Sequence, residues 1–273
     1  IQCKKEREYE KMKPSKKPSH RKCTLGCGVL DECLGGGIPS NSITEIVGES
    51  GLGKTQICLQ LCLFAQLPAS QGGLSGSSIY LHTEFPFPSR RLHQLSSAFG
   101  GGHSPCDSIF VQSIHTPDEL LDTIHKIECF IGRGDPVKLI VIDSIAALFR
   151  PEFENTTSYL KERSSLFFQI SGRLKALARR FEVAVVVTNQ VVDVEHGDGV
   201  SLLMTTGRKV CPALGVGWAN CVNSRLFLTR DAASDKRFLK VVFAPHLPQS
   251  SCEYVIKRNG VFGLLPDDYN KID

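Results

Sequence analysis

From Cys23 onward, short apolar runs alternate with segments whose apolar residues recur every three or four positions. That alternation predicts strands each followed by a helix. Ile43–Val47 reads as a buried strand, followed by a glycine loop and a helix reaching about Leu67. Gln71–Ser77 is a Gly/Ser loop. A strand at Ser78–Thr83 precedes a helix near Ser89–Phe99, and a strand at Ser108–Ser113 precedes a helix from about Pro117, a residue suited to a first helical position. Val137–Asp143 is apolar at nearly every position, as in a strand covered on both faces. The next helix places Leu166, Ile170, Leu174, Leu177 and Phe181 on one face, and Glu182–Thr188 returns to strand.

Strand–helix alternation implies right-handed crossovers and a mostly parallel sheet with helices on both faces, an α/β fold. After Gln190 the pattern changes. A Gly-rich polar stretch leads to strand-like runs at Asn223–Thr229, Phe238–Ala244 and Glu253–Lys257 without long helices between them, which predicts an antiparallel C-terminal edge. Residues 1–22 lack apolar periodicity and read as a basic, flexible N-terminal segment, leaving 23–273 as one domain. No apolar run approaches the roughly 20 residues of a spanning helix, so a membrane partner is not expected.

The charge of +4 changes this picture only at the N-terminus. Residues 1–22 carry nine Lys/Arg against three Glu, while the rest of the chain holds 23 basic and 25 acidic residues. The body is nearly neutral. The cluster ending Lys16-Lys17-Pro18-Ser19-His20-Arg21-Lys22 reads equally as a nuclear import signal, a phosphate contact or a solvated tail. The chain opens on Ile1 rather than Met, compatible with a fragment or a processed form. Eleven cysteines sit mostly in apolar or helix-like positions. Cys23, Cys27 and Cys33 lack a second ligand pair, so zinc is not expected and a reduced intracellular protein is the default.

The strongest chemical signal is Gly48-Glu49-Ser50-Gly51-Leu52-Gly53-Lys54-Thr55, which follows a strand and opens a helix. Glycines there let backbone N–H groups converge on phosphate oxygens, and the helix N-terminus adds positive potential. Lys54 is assigned to the β- and γ-phosphates of ATP and Thr55 to Mg²⁺. Leu139-Ile140-Val141-Ile142-Asp143 supplies a second metal carboxylate, weak evidence alone and strong beside the loop. Glu84 and Gln190 also fall at carboxyl ends of predicted parallel strands, where ligands of open α/β sheets bind. Glu84 is the candidate water activator and Gln190 the candidate γ-phosphate sensor, with an exposed polar strand end as the plain alternative for each.

With these pieces in order, the chain resembles the RecA-type recombinases and their eukaryotic paralogues. The resemblance rests on Leu25-Gly26-Cys27, Gly35-Gly36-Gly37-Ile38, Ser42-Ile43-Thr44-Glu45, Gly53-Lys54-Thr55-Gln56, His82-Thr83-Glu84, the strand ending at Asp143, Val187-Thr188-Asn189-Gln190-Val191 and Asn223-Ser224-Arg225-Leu226. Together they span about residues 23–265. Within the family, Glu84-Phe85-Pro86-Phe87-Pro88 and the run from Phe243 to Cys252 bring the chain nearest to one eukaryotic paralogue. The resemblance implies a RecA-like P-loop ATPase core, with Glu84 as catalytic glutamate, Arg91 stacking on adenine and Gln190 coupling the γ-phosphate to a DNA-facing loop. It also implies DNA-facing loops at 150–163 and about 192–212, with Arg150, Arg163, Arg208 and Lys209 as candidate phosphate contacts.

Departures qualify what the resemblance implies. Residues 1–22 are too short for the family's N-terminal helical DNA-binding domain, and no Phe-x-x-Ala linker stands upstream of Cys23. Phe243 and Gln249 replace the acids of the family's cap over a neighbour's ATP. Pairing with a different paralogue therefore fits better than self-polymerisation. The leading expectation is a nuclear, ATP-dependent, DNA-binding accessory of homologous recombination and double-strand break repair. It would act on single-stranded or branched DNA with another paralogue and with the main strand-exchange recombinase, as a weak DNA-dependent ATPase. The alternatives are a non-hydrolysing nucleotide-bound scaffold and a strand-exchange recombinase.

Overall fold

The computed structural model describes residues 21–84, 86–97, 104–149, 157–194 and 203–265, with side chains from Leu160 in the fourth stretch. The segment 1–20, Arg150 and much of both expected DNA-facing loops lie outside the described residues. The described chain opens on a short antiparallel pair, β1 (Lys22–Cys23) with β2 (Ile38–Pro39), on either side of helix α1 (Gly28–Cys33). Lys22, which composition groups with the N-terminal segment, is therefore part of a strand.

Among the described residues the main sheet has nine strands. They are β3 (Ser42–Gly48), β4 (Ser77–His82), β5 (Ile109–Ser113), β6 (Val137–Asp143), β7 (Ala184–Asn189), β11 (Ser224–Arg230), β12 (Arg237–Phe243), β13 (Ser251–Lys257) and β14 (Gly260–Gly263). Their order is β14-β13-β12-β11-β3-β7-β6-β4-β5. Every pairing from β11 to β5 is parallel, and β12 to β14 add antiparallel strands beyond β11. This matches the expected parallel core with an antiparallel C-terminal edge.

Period-two alternation divides the central strands between two core layers. Ile46, Leu139, Val141, Ala184 and Val186 pack on one face with α1 and α2 (Lys54–Phe64). Ile43, Ile140, Ile142, Val185 and Val187 pack on the other with α4 (Pro117–Gly132) and α5 (Thr157–Phe181). The α5 stripe lands as its spacing predicts: Ile170, Leu174 and Leu177 are buried, with Leu166 and Phe181 at its margins. Shortening any of these three to Ala would cost about 2–5 kcal/mol. Helix α4 begins on Thr116, whose hydroxyl accepts from the Glu119 amide at 3.1 Å, with Pro117 next. Such a cap stabilises by about 1 kcal/mol. Helix α3 (Ser89–Ser96) follows β4.

The stretch after Gln190 differs from expectation. A three-stranded sheet forms there from β8 (Val191–Asp193), β9 (Leu203–Thr205) and β10 (Arg208–Pro212), in the order β8-β10-β9. Thr206 and Gly207 both have positive φ, 47° and 74°, the geometry of a tight two-residue hairpin joining β9 to β10. Strands of three to five residues carry too little alternation to show in composition. A short helix, α6 (Gly215–Ala219), leads to β11 and buries Trp218 against Phe167 of α5, ring centroids 5.5 Å apart.

Candidate nucleotide site

The parallel strands deliver their carboxyl ends to one rim, and the expected site residues gather there. β3 runs into the loop Gly48–Thr55, β4 into Glu84, β6 ends on Asp143, and β7 ends on Asn189 just before Gln190. They border a cavity of about 650 Å³ lined by Lys54, Thr55, Glu84, Arg91, Asp143 and Gln190 among others.

Glycine chemistry explains the loop. Gly51 and Gly53 have φ of 80° and 94°, and a Cβ at Gly53 would lie 2.6 Å from Ile256 of β13. Non-glycine residues adopt such φ at appreciable cost, so the loop shape depends on these positions. The Lys54 ammonium folds back to donate to the Gly48 and Glu49 carbonyls at 2.7 and 2.9 Å. Burial holds its pKa below the ordinary value, opposed by the charges of Asp143 and Glu84. Of the loop residues assigned to nucleotide, Gly48, Glu49 and Leu52 do not line the cavity. Leu52 is buried, and its carbonyl accepts from Tyr254 of β13 at 2.5 Å. The Glu49 carboxylate turns away, accepting from Thr205 at 3.1 Å and pairing with Arg208. A carboxylate aimed at phosphates would repel them, so this loop position can serve nucleotide only through its backbone.

Asp143 is held from three sides. The Thr55 hydroxyl donates to its Oδ2 at 2.7 Å, the Tyr80 phenol of β4 to the same oxygen at 2.5 Å, and the Thr188 hydroxyl of β7 to Oδ1 at 2.6 Å. Burial and the neighbouring carboxylate push the Tyr80 pKa well above its ordinary value, so the phenol stays a donor. Tyr80 and Thr188 are site residues that the sequence reading does not single out. Thr188 lies inside the run ending at Gln190, whereas Tyr80 reads simply as an apolar strand position whose polar tip emerges only in three dimensions. The oxygen-rich pair of Thr55 and Asp143 fits a hard divalent cation such as Mg²⁺, which takes oxygen ligands.

The expected activator and sensor are joined directly, with Gln190 Nε2 donating to Glu84 Oε2 at 2.8 Å. Arg91 of α3 is clamped at the opposite wall. Its guanidinium donates to the carbonyls of Lys257 and Arg258 at 2.8 and 2.7 Å and to Gln56 at 2.6 Å. This fixes a planar cation at the cavity margin, compatible with stacking on a base.

The candidate DNA contacts are less uniform. Arg163 lies 5.2 Å from the Phe167 ring centroid and donates to the Ala213 carbonyl at 3.4 Å. Arg208, its side chain 56% exposed, pairs with Glu49 and with Asp193 at 3.1 Å. Lys209, on the other face of β10, is exposed.

Below the rim, Glu45 and Arg225 form an ion pair at 2.5 Å whose side chains are 0% and 5% exposed. Asn189 donates to the other Glu45 oxygen at 2.7 Å, and the Arg225 guanidinium lies 5.4 Å from the Phe243 ring. Phe243, one of the two departures at the cap, thus packs on this pair, while Gln249 donates to the Val242 carbonyl at 3.3 Å.

Comparison with known proteins agrees with this geometry. The family model named Rad51 matches residues 18–264. The DNA repair protein XRCC3 homolog of Arabidopsis thaliana is 51% identical over 295 residues, covering 92% of this chain and 97% of the relative. The DNA repair protein XRCC3 of Bos taurus is 39% identical over 268 residues, covering 90% and 75%. The DNA repair and recombination protein RadA of Aeropyrum pernix is 36% identical over 248 residues, covering 88% and 73%. A glycine loop closed on Thr55 and Asp143, in a parallel sheet with an antiparallel edge, and a match over nearly the whole described chain lead to one assignment: this chain belongs to the Rad51 family.

Proposed function

We propose that this protein is an ATP-dependent, DNA-binding accessory of homologous recombination that works in the nucleus with another recombinase paralogue. The observation that carries the reading is the convergence of Lys54, the Thr55–Asp143 pair and the Glu84–Gln190 pair on one cavity. Bound Mg-ATP would supply a phosphoryl group for transfer to water. Lys54 and the loop amides would hold phosphate oxygens, and Thr55 with Asp143 the cation. Glu84 would accept a proton from water, and Gln190, which donates to that carboxylate at 2.8 Å, would orient it and couple it to β8 of the proposed DNA-facing segment.

A paralogue partner is favoured by the sheet edge. β5 is the outer strand beside β4, and Phe110 and Val111 on it are 45% and 41% exposed. With Ile79, Ile127 and Phe130 they line an apolar groove of about 270 Å³. An outer strand with an apolar groove can receive an extended segment of another subunit by strand addition.

ATP turnover, measured for the chain alone and with candidate paralogues, with and without single-stranded DNA, tests the reading. Slow turnover raised by partner or DNA, and depressed by Glu84→Gln with ATP affinity retained, is expected. Nucleotide binding without turnover in every combination would favour the scaffold alternative.

A further inference from the structure

The strand that ends on Asp143, β6, lies between β7 and β4 in the sheet, and each of these parallel neighbours sends Asp143 one hydroxyl. Tyr80 of β4 donates to Oδ2 at 2.5 Å and Thr188 of β7 to Oδ1 at 2.6 Å. Both donors are buried, 1% and 0% exposed, so bulk water does not compete for them. Asp143 itself is half-buried and lines the nucleotide cavity.

A core built only for stability gains little from these two hydroxyls. The Tyr80 ring packs edge-on to Phe87 with centroids 5.0 Å apart, a contact that phenylalanine would keep. Valine has the outline of Thr188, and buried valines fill the three preceding positions of β7. A buried hydroxyl costs free energy unless it is bonded, and the net return of such a bond is modest. What the pair does control is the carboxylate.

The terminal torsion of an aspartate is broad, so an unheld Asp143 would swing. Donors fixed on two strands, one to each oxygen, lock its plane. They also limit its acceptor positions. A carboxylate offers about four. Thr55 and Tyr80 occupy two on Oδ2, and Thr188 occupies one on Oδ1. One remains, on Oδ1. Thr55 uses its hydrogen on Asp143, so its own lone pairs are what it can offer a cation.

We propose that Tyr80 and Thr188 are positioning residues for the divalent cation, holding Asp143 so that a single acceptor on Oδ1 is available to it. Mg²⁺ demands near-ideal geometry and sheds its waters reluctantly, which suits one fixed acceptor. Outer hydrogen bonds of this kind typically alter metal affinity by roughly 10–100-fold. This role rests on the function proposed above, because the carboxylate matters only when Mg-ATP occupies the cavity.

Tyr80→Phe and Thr188→Val each remove one hydroxyl and keep the side-chain outline. Binding of a fluorescent ATP analogue, titrated with Mg²⁺ for wild type, both variants and the double variant, tests the role. Each single variant should raise the Mg²⁺ concentration for half-effect about tenfold, and the double variant should raise it further. Affinity for the analogue without metal should stay near the wild type's. Ser78→Ala removes another buried hydroxyl of β4, one that donates to the Cys62 carbonyl at 3.2 Å, and should leave the Mg²⁺ requirement unchanged.

A wild-type Mg²⁺ requirement in either folded variant overturns the assignment of that residue, even where its thermal midpoint falls, since that is the mark of a purely structural bond. An equal shift in Ser78→Ala overturns it too. A wild type that binds the analogue with no response to Mg²⁺ sinks the nucleotide–metal reading itself, and this role with it. If one variant fails to fold, the other puts the same question to the opposite oxygen.

Discussion

Arg208 and Glu49 form an ion pair that joins the β9–β10 hairpin to the phosphate loop. Asp193 of β8 accepts from the other guanidinium nitrogen, with both its oxygens at 3.1 Å. A side chain expected to meet DNA phosphate is thus held by the loop expected to meet ATP phosphate, so the two proposed ligands bear on one residue.

Partial exposure limits this pair to about 1 kcal/mol of stability, because water screens it. Glu49→Gln should therefore leave folding nearly intact and tighten binding to single-stranded DNA by releasing Arg208. Arg208→Ala should weaken binding and lower the salt slope by about one. Anisotropy titrations across salt concentrations measure both. Unchanged slopes in both variants would detach this pair from DNA binding.

The Glu45–Arg225 pair predicts a different response because it is dry. Arg225→Met leaves a buried carboxylate without its counter-ion and should cost about 3–5 kcal/mol, whereas adding Glu45→Gln should recover much of that loss. Urea denaturation of the two variants reads the difference. A double variant no more stable than Arg225→Met would show that the pair's charges are not the issue.

Lys54 predicts a pH dependence. Its folded pKa is held down by burial, so the unfolded chain keeps this proton to higher pH than the folded chain. Between the folded pKa and the unfolded value of about 10.4, this group makes stability rise with pH. Lys54→Met removes that contribution, and its alkaline stability profile should be flatter than the wild type's. Denaturation midpoints on the alkaline side check this, and identical slopes would contradict the buried-ammonium account.

Much of this site is legible in the amino-acid sequence because glycine spacing and apolar runs are local signals. The loop from Gly48 to Thr55 and the strand ending at Asp143 each announce themselves within a few residues. The helical stripe from Ile170 to Leu177 does the same. What stays hidden depends on partners distant in the chain. Glu49 belongs to the phosphate loop by position, yet its carboxylate is captured by a hairpin more than a hundred residues later. Tyr80 has the pattern of a core residue, and only the fold brings its hydroxyl to Asp143. Strands β8 to β10 are too short for alternation to reveal. Glu45 and Arg225 stand only as letters within family-like runs, because burial and pairing across the β3–β11 ladder are tertiary facts.

The central claim is that Thr55 and Asp143 together hold the metal of a bound nucleotide. Binding of a fluorescent ATP analogue, titrated with and without Mg²⁺ for wild type and Asp143→Asn, tests it most directly. Wild type should bind more tightly with Mg²⁺, and Asp143→Asn should lose most of that gain while remaining folded. Full Mg²⁺ dependence in the variant, or no nucleotide binding by the wild type, would contradict the account.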